Sequence, residues 1–115
     1  MADYSGKAQF FVAFHCAAEH EEEGDRVFAD HAAWMERTHP TEGDEALLQY
    51  TVSKSRDDEG NVQFLLAEVY ETTAGIDNHL RLAHEDDAGG RALVAFADKC
   101  DTIGWDNADV VYSLW

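Results

Sequence analysis

The sequence predicts an α+β domain with the element order β-α-β-β-α-β, in which an antiparallel sheet carries its helices on one face. Three observations predict this class. Strand-like apolar segments occur four times, two segments between them space their apolar residues as helices do, and Asp57–Gly60 has the composition of a hairpin loop. With 115 residues the chain can form one core, so we predict a single domain over residues 1–115, with a polar N-terminal tail at residues 1–7.

The first strand is predicted at about Ala8–Ala17, where apolar residues occupy both parities and both faces are therefore expected to be covered. Asp25 is a plausible N-cap for a helix over Arg26–Thr38, which ends ahead of Pro40. One stripe of this helix is expected to lie against the sheet, and it contains Val27, His31, Trp34 and Thr38.

A second strand is predicted at about Ala46–Lys54 and a third at Val62–Tyr70, the latter again apolar on both parities. Thr72 is a good N-cap for a helix that starts at Thr73. The inner face of this helix is predicted to contain Ile76, His79, Leu80 and Ala83. His79 should therefore point toward the sheet and away from water.

The end of the chain is predicted as an acidic break at His84–Gly90, a helical stretch at Arg91–Cys100, a connection at Asp101–Asn107 and a last strand at Ala108–Trp115. Three of the four strands are apolar on both parities, whereas an antiparallel sheet usually leaves one face wet. Two helices cannot cover both faces of such a sheet. A second subunit is the simplest cover, so we predict a homodimer.

The charge balance argues against polyanionic partners. The chain has 24 acidic and 8 basic residues, for a formal net charge of -16. Such a surface repels nucleic acids and anionic membranes, whose recognition depends on Lys and Arg. No apolar run approaches the roughly 20 residues that span a bilayer, so we predict a cytoplasmic protein. A surface this acidic and poor in lysine also fits a salt-rich, halophilic cytoplasm.

The sequence predicts neither a metal nor a cofactor. It contains no H-E-x-x-H, no glycine-rich phosphate motif and no serine in a nucleophile elbow, and its six histidines lack ligand spacing. Cys16 and Cys100 are far apart and have no C-x-x-C spacing, so we treat both as small buried apolar residues rather than a disulfide framework or a zinc site.

The run from Glu68 to Glu71, followed by Ile76 and by Asn78-His79-Leu80, resembles the signature of the antibiotic biosynthesis monooxygenase (ABM) family. Residues Ala46–Val52 are similar to that family's second strand, and a looser resemblance extends over nearly the whole chain. The resemblance implies a ferredoxin-like fold in which the sheets of two subunits pair face to face to form a dimeric α+β barrel. The family includes oxygenases, haem-degrading enzymes, isomerases and proteins without known activity.

The resemblance also implies a chemistry. Oxygenases of this family hold a phenol, hydroquinone or anthrone between helices and sheet, where a base removes a proton and the anion reacts with O2 without flavin or metal. His79 is the candidate base, because imidazole titrates near working pH. The candidate residues for binding a small aromatic substrate are His31, Trp34, Phe64, Tyr70 and Asn78. Haem-degrading members have tryptophan in place of His79 and histidine in place of Gly89, so haem is not expected.

Each of these side chains also has a purely structural interpretation, in which it takes no part in catalysis or binding. His79 can be a core histidine bonded to a carbonyl, His31 a half-buried residue of an amphipathic helix, and Trp34 and Tyr70 ordinary core. Two functions are therefore considered. One is a small cofactor-independent monooxygenase for an aromatic, phenolic or quinol-like molecule, and the other is a non-catalytic dimeric barrel that binds a small hydrophobic ligand.

Overall fold

The predicted fold class and element order are confirmed by the structure, a computed structural model that describes residues 3–85 and 90–114. The strands are β1 (Ala8–Cys16), β2 (Leu47–Arg56), β3 (Val62–Tyr70) and β4 (Asp101–Asp109). The helices are α1 (Glu21–Thr38), α2 (Thr73–Glu85) and α3 (Gly90–Ala97). All neighbouring strands pair antiparallel, in the order β2-β3-β1-β4. No helix in the described ranges is both long and apolar enough to cross a membrane.

The core lies between the helices and one face of the sheet. Along β3 the residues of even number, from Val62 to Tyr70, are all buried on the helix side. On the other face Gln63 and Leu65 are exposed, so within one chain only the helix side of the sheet is fully covered. The expectation that both faces are covered therefore depends on a second subunit.

Helix α1 begins at Glu21, whereas the sequence predicted Asp25 as its N-cap. Three glutamates fill the first turn, where the helix dipole favours negative charge, and Glu21 accepts hydrogen bonds from Lys54 and Arg56 on β2. Gly24 lies inside this helix, and a Cβ at this position would lie 2.6 Å from the ring of Phe64. The contact between the α1 backbone and Phe64 leaves no room for a side chain here. The sequence alone does not show this contact.

Helix α2 begins as predicted. The backbone N–H of Ala74 donates to the Thr72 hydroxyl over 3.1 Å, which is an N-cap bond. Gly75 lets the first turn approach β3, since a Cβ here would lie 2.5 Å from the ring of Tyr70. Ile76 and His79 face the sheet as predicted, but the placement of Leu80 on the inner face is wrong, because this side chain is exposed.

The last strand also differs from the prediction. Residues Asp101–Asp109 form β4, an edge strand paired with β1, while residues 110–114 have no regular structure. A polar run with a glycine resembles a connection, yet a strand at the sheet edge needs few apolar residues. Val110 still exchanges backbone hydrogen bonds with Gly6 and Lys7 ahead of β1, over 2.8 and 2.9 Å. Residues 86–89, in the predicted acidic break, and Trp115, in the predicted strand, lie outside the described residues.

Cys16 and Cys100 form a disulfide, so treating them as two unpaired residues was wrong. Cys16 ends β1, and Cys100 immediately precedes β4. The two are 84 residues apart in sequence, but pairing of β1 with β4 brings them together. Long-range pairing of this kind leaves no local spacing for sequence analysis to detect.

Candidate functional site

Five buried polar residues meet between the helices and the sheet, and we call them the histidine cluster. They are His31 on α1, His39 just after α1, Glu68 and Tyr70 on β3, and His79 on α2. Glu68 and Tyr70 are both 0% exposed and His79 is 4% exposed. Polar groups buried this completely require partners, so their hydrogen bonds define what the cluster can do.

A chain of hydrogen bonds fixes the tautomer of His79. The Thr38 hydroxyl donates its single hydrogen to the Trp34 carbonyl over 2.7 Å, so Nδ1–H of His39 donates to that hydroxyl over 2.9 Å. Nε2 of neutral His39 then accepts from Nδ1–H of His79 over 3.0 Å. Because only one ring nitrogen of a neutral imidazole carries hydrogen, Nε2 of His79 keeps an unprotonated lone pair.

All three histidines of the cluster are neutral at pH 7. Burial, followed by the proximity of His39 and His31, lowers the pKa of His79 to about 3. Burial likewise lowers the pKa of His31 and of His39 to about 4. Charging any of these rings would place an uncompensated cation in the interior. His79 is therefore able to accept a proton but holds it weakly.

The pKa of Glu68 is shifted in the opposite direction, upward. Burial raises its pKa to about 8, although the Tyr70 hydroxyl, which donates to Oε1 over 2.5 Å, acts against this rise. Nδ1 of His79 lies 3.7 Å from Oε1, but with these pKa values the contact joins two neutral groups at pH 7. Oε2 has no hydrogen-bond partner among the described residues. The cluster therefore places a neutral carboxylic acid beside a neutral imidazole, whereas an exposed glutamate is ionised at pH 7.

Aromatic rings enclose the cluster. The Trp34 ring lies 5.5 Å from His31, 5.2 Å from His39 and 5.8 Å from His79, measured between ring centroids. Its indole N–H finds no acceptor within the part of the chain that the structure describes. The Tyr50 hydroxyl lies 2.7 Å from Nδ1 of His31, and burial raises the pKa of this phenol. Polar atoms are thus few and precisely placed in an otherwise apolar layer.

The structure brings together four of the residues singled out from the sequence, namely His31, Trp34, Tyr70 and His79. Phe64 lies apart, in an aromatic group with Phe28 and Phe96 at centroid distances of 4.9 and 6.0 Å. Asn78 is buried, and its side-chain oxygen accepts a hydrogen bond from Arg81 on the same helix.

Sequence reasoning missed His39, Tyr50 and Glu68 as members of this layer. His39 lies beyond the end of α1 and has no helical phase, so periodicity could not place it. Glu68 did give a signal, because it shares the inward parity of Val62 and Tyr70 on a buried strand. A carboxyl group on that face indicates either a buried acid or a ligand.

Three residues of the cluster form a possible ligand set for a metal ion. One ring nitrogen each of His31 and His79 and one oxygen of Glu68 lie within 4.8 Å of one another. The expectation of no metal site was based on sequence spacing, and these residues come from three separate elements. Their spacing along the chain therefore carries no information about their proximity.

A separate cavity of about 580 Å³ lies on the opposite face of the sheet. Its outward-facing lining includes Ala13, His15, Leu65 and Ile103. None of the residues that line it belongs to the histidine cluster. The molecule thus has a closed polar cluster on one side of the sheet and an open trough on the other.

Comparison with solved structures identifies the fold. A structure described as "a putative antibiotic biosynthesis monooxygenase" from Caulobacter crescentus CB15 matches with a TM-score of 0.66 and 18% identity, covering 93% of this chain and 92% of that chain. A dimeric ferredoxin-like protein from an uncultured marine organism matches with a TM-score of 0.69 and 11% identity, covering 94% and 98%. No family model matches, and a search of curated proteins gives no match. At these identities the likeness shows the fold alone: the chain has an α+β ferredoxin-like fold of the ABM type.

Proposed function

We propose that the protein is a small monooxygenase that oxidises an aromatic, phenolic or quinol-like molecule with O2, with His79 as the base and without an organic cofactor or metal. The observation that carries this proposal is the hydrogen-bond chain from Thr38 through His39 to His79. It holds one imidazole nitrogen unprotonated in a layer of aromatic rings. A base held in one orientation against an apolar wall is positioned for proton abstraction from such a substrate, and the substrate anion that forms beside the imidazolium would offset the burial that lowers the pKa of His79.

The reaction balances without a further reductant. Nε2 of His79 takes a proton from the substrate, and the resulting anion donates electrons to O2 as a carbon–oxygen bond forms. The imidazolium returns its proton to the distal peroxide oxygen. Cleavage of the O–O bond, with loss of the second hydrogen of the same carbon as a proton, then leaves a carbonyl on the substrate and releases water, so that a CH2 group and O2 become C=O and H2O. Neutral Glu68 can supply a proton to the leaving oxygen, since burial keeps it protonated at pH 7, and the proton lost by the carbon would restore it.

Replacement of His79 tests the proposal. We expect His79→Ala to lower enzyme-dependent O2 uptake by roughly 100- to 10,000-fold, because a positioned general base contributes that much. The assay uses hydroquinones, anthrones and flavonoid-like phenols at high and low salt, with EDTA present and autoxidation subtracted. His84→Ala is the matched control, since it removes an exposed histidine from the same helix. Equal uptake in the two variants would exclude His79 as the base.

The alternative function is binding of a small hydrophobic ligand without turnover. The trough of about 580 Å³ favours it, because this cavity is open while the histidine cluster is closed. A ligand that raises the melting temperature without O2 uptake, and loses this effect in Leu65→Glu, would support binding in the trough over oxidation in the cluster.

We also propose that two copies pair through the open face of the sheet. This face exposes Leu65, Ile103 and Trp105, the last two at 72% and 60% of their surface, and one structural neighbour is described as dimeric. Burying such a face between two copies removes apolar surface from water.

Ile103→Asp is expected to shift the protein toward monomer in sedimentation velocity, since two carboxylates would be buried at the interface. Val94→Asp is the control, because Val94 is 62% exposed but lies on α3, on the other side of the sheet. A dimer that persists in Ile103→Asp would place the interface elsewhere.

A further inference from the structure

We propose that His31, Glu68 and His79 bind a divalent transition-metal ion of the zinc or iron(II) type, held between α1, β3 and α2. The inference concerns binding alone: an ion held here would occupy Nε2 of His79, the nitrogen that the proposed oxidation uses as its base, so the metal-free form is the one that would carry out that reaction. It starts from the placement of two imidazole nitrogens and one carboxylate oxygen within 4.8 Å of one another. Ligands of a shared tetrahedral ion lie about 3.5 Å apart, so small side-chain rotations would close the site.

The donor set selects the class of ion. Two imidazoles and one carboxylate suit zinc and iron(II), whereas magnesium and calcium prefer oxygen ligands alone. Three protein ligands also leave coordination positions for water or another small molecule. The three side chains come from two helices and one strand, so the ion would join rigid elements rather than loops.

An independent observation points to the same place. Oε2 of Glu68 belongs to a side chain that is 0% exposed, and it has no hydrogen-bond partner in the described ranges. A buried oxygen without a partner loses its hydration without compensation, which destabilises the folded chain. Coordination to a cation would satisfy it. Most buried polar atoms in proteins are satisfied, so this exception calls for an explanation.

Each of the three ligands also has an outer partner. The Tyr70 hydroxyl bonds to Glu68, His39 bonds to His79, and the Tyr50 hydroxyl bonds to His31. Metal-binding histidines and carboxylates in proteins are oriented by such second contacts, which fix the ring or carboxyl group before the ion arrives. In the histidine cluster this support is complete for all three side chains.

Binding of Co2+ and Zn2+ tests the proposal directly. Protein stripped with EDTA and dialysed free of chelator is titrated with Co2+, whose visible absorption reports nitrogen and oxygen coordination, and bound Zn2+ is counted by mass spectrometry after gel filtration. We expect one ion per chain. We expect Glu68→Gln and His31→Gln each to weaken binding by more than the roughly 10- to 100-fold that loss of an outer partner causes.

The controls separate this site from the acidic surface. The Glu68→Gln change preserves the size of the side chain and its ability to accept the bond from Tyr70, so the fold can be verified by near-ultraviolet circular dichroism. His15→Gln alters an exposed histidine on the other sheet face and should leave affinity unchanged. Binding that is equally tight in Glu68→Gln and His31→Gln, or no binding at all, would overturn the proposal. Because O2 uptake is measured in EDTA, its outcome does not affect this one.

Discussion

Opening the Cys16–Cys100 disulfide is expected to lower the free energy of unfolding by about 4 kcal/mol, because the bond closes a long loop in the unfolded chain. The two residues are 84 positions apart, so the loop contains both long helices and the two strands of the hairpin. Without the bond, the unfolded state regains the conformational freedom that the loop denies it. In the folded state the bond fastens the end of β1 to the start of β4, an edge strand with few buried side chains.

Urea unfolding of the oxidised protein, of the protein reduced with dithiothreitol and of Cys16→Ala/Cys100→Ala measures this effect. The last two should agree with each other and differ from the first in their midpoint. Thiol titration of the unfolded, unreduced protein should find no free thiol. Two free thiols, or identical midpoints with and without reductant, would show that the bond is absent or carries no stability.

Stability is expected to peak at roughly pH 7 and to fall on both sides of it, because burial shifts the pKa values of the three histidines and of Glu68 in opposite directions. The pKa values of the three histidines are lowered from 6.5 to between about 3 and about 4. Below pH 6.5 these histidines therefore bind protons in the unfolded chain but not in the folded chain, and stability is lost as pH falls. Glu68, with its pKa raised from 4.5 to about 8, keeps its proton in the folded state only. Its stabilising contribution is complete below pH 4.5 and is lost as pH rises through 8.

Each proton of difference changes stability by about 1.4 kcal/mol per pH unit, so titration of Glu68 removes about 1 kcal/mol between pH 7 and 8. Deprotonation of the three histidines in the unfolded chain offsets about half of this loss over the same range. Glu68→Gln should abolish this alkaline loss and steepen the acid loss, because the opposing contribution of Glu68 is gone. Urea unfolding at a series of pH values measures both. Glu59→Gln, in the exposed hairpin loop, should retain the wild-type profile. An alkaline loss that survives in Glu68→Gln would assign it to another group.

Periodicity predicted the fold because each helix and each strand of a two-layer domain buries one face, and apolar residues recur along that face with the period of the element. The strands β1 and β3, the inner stripe of α1 and the N-cap Thr72 were all visible in the sequence. Packing in three dimensions decided the features that sequence reasoning missed. Gly24 looks like a helix breaker but makes room for Phe64, and β4 looks like a connection because an edge strand is polar.

The sequence predicted a residue of the candidate site only where that residue lies on a helix, because helical spacing then shows which face it is on. His31, Trp34 and His79 lie on helical faces, so their inward direction follows from spacing. His39 follows the helix end and Tyr50 comes from a different strand, so only the folded chain brings them to the cluster. The charge states of Glu68 and His79 arise from burial, which no short motif encodes.

The strand order has a consequence for how the protein forms during synthesis. Strand β1 is the first element of the chain, yet its hydrogen-bond neighbours are β3 and β4, which end at Tyr70 and Asp109. A nascent chain therefore carries a long apolar strand with neither neighbour until most of the domain has left the ribosome. Unpaired edges of this kind favour aggregation. The acidic residues that surround the fold would keep nascent chains apart by charge repulsion during this interval.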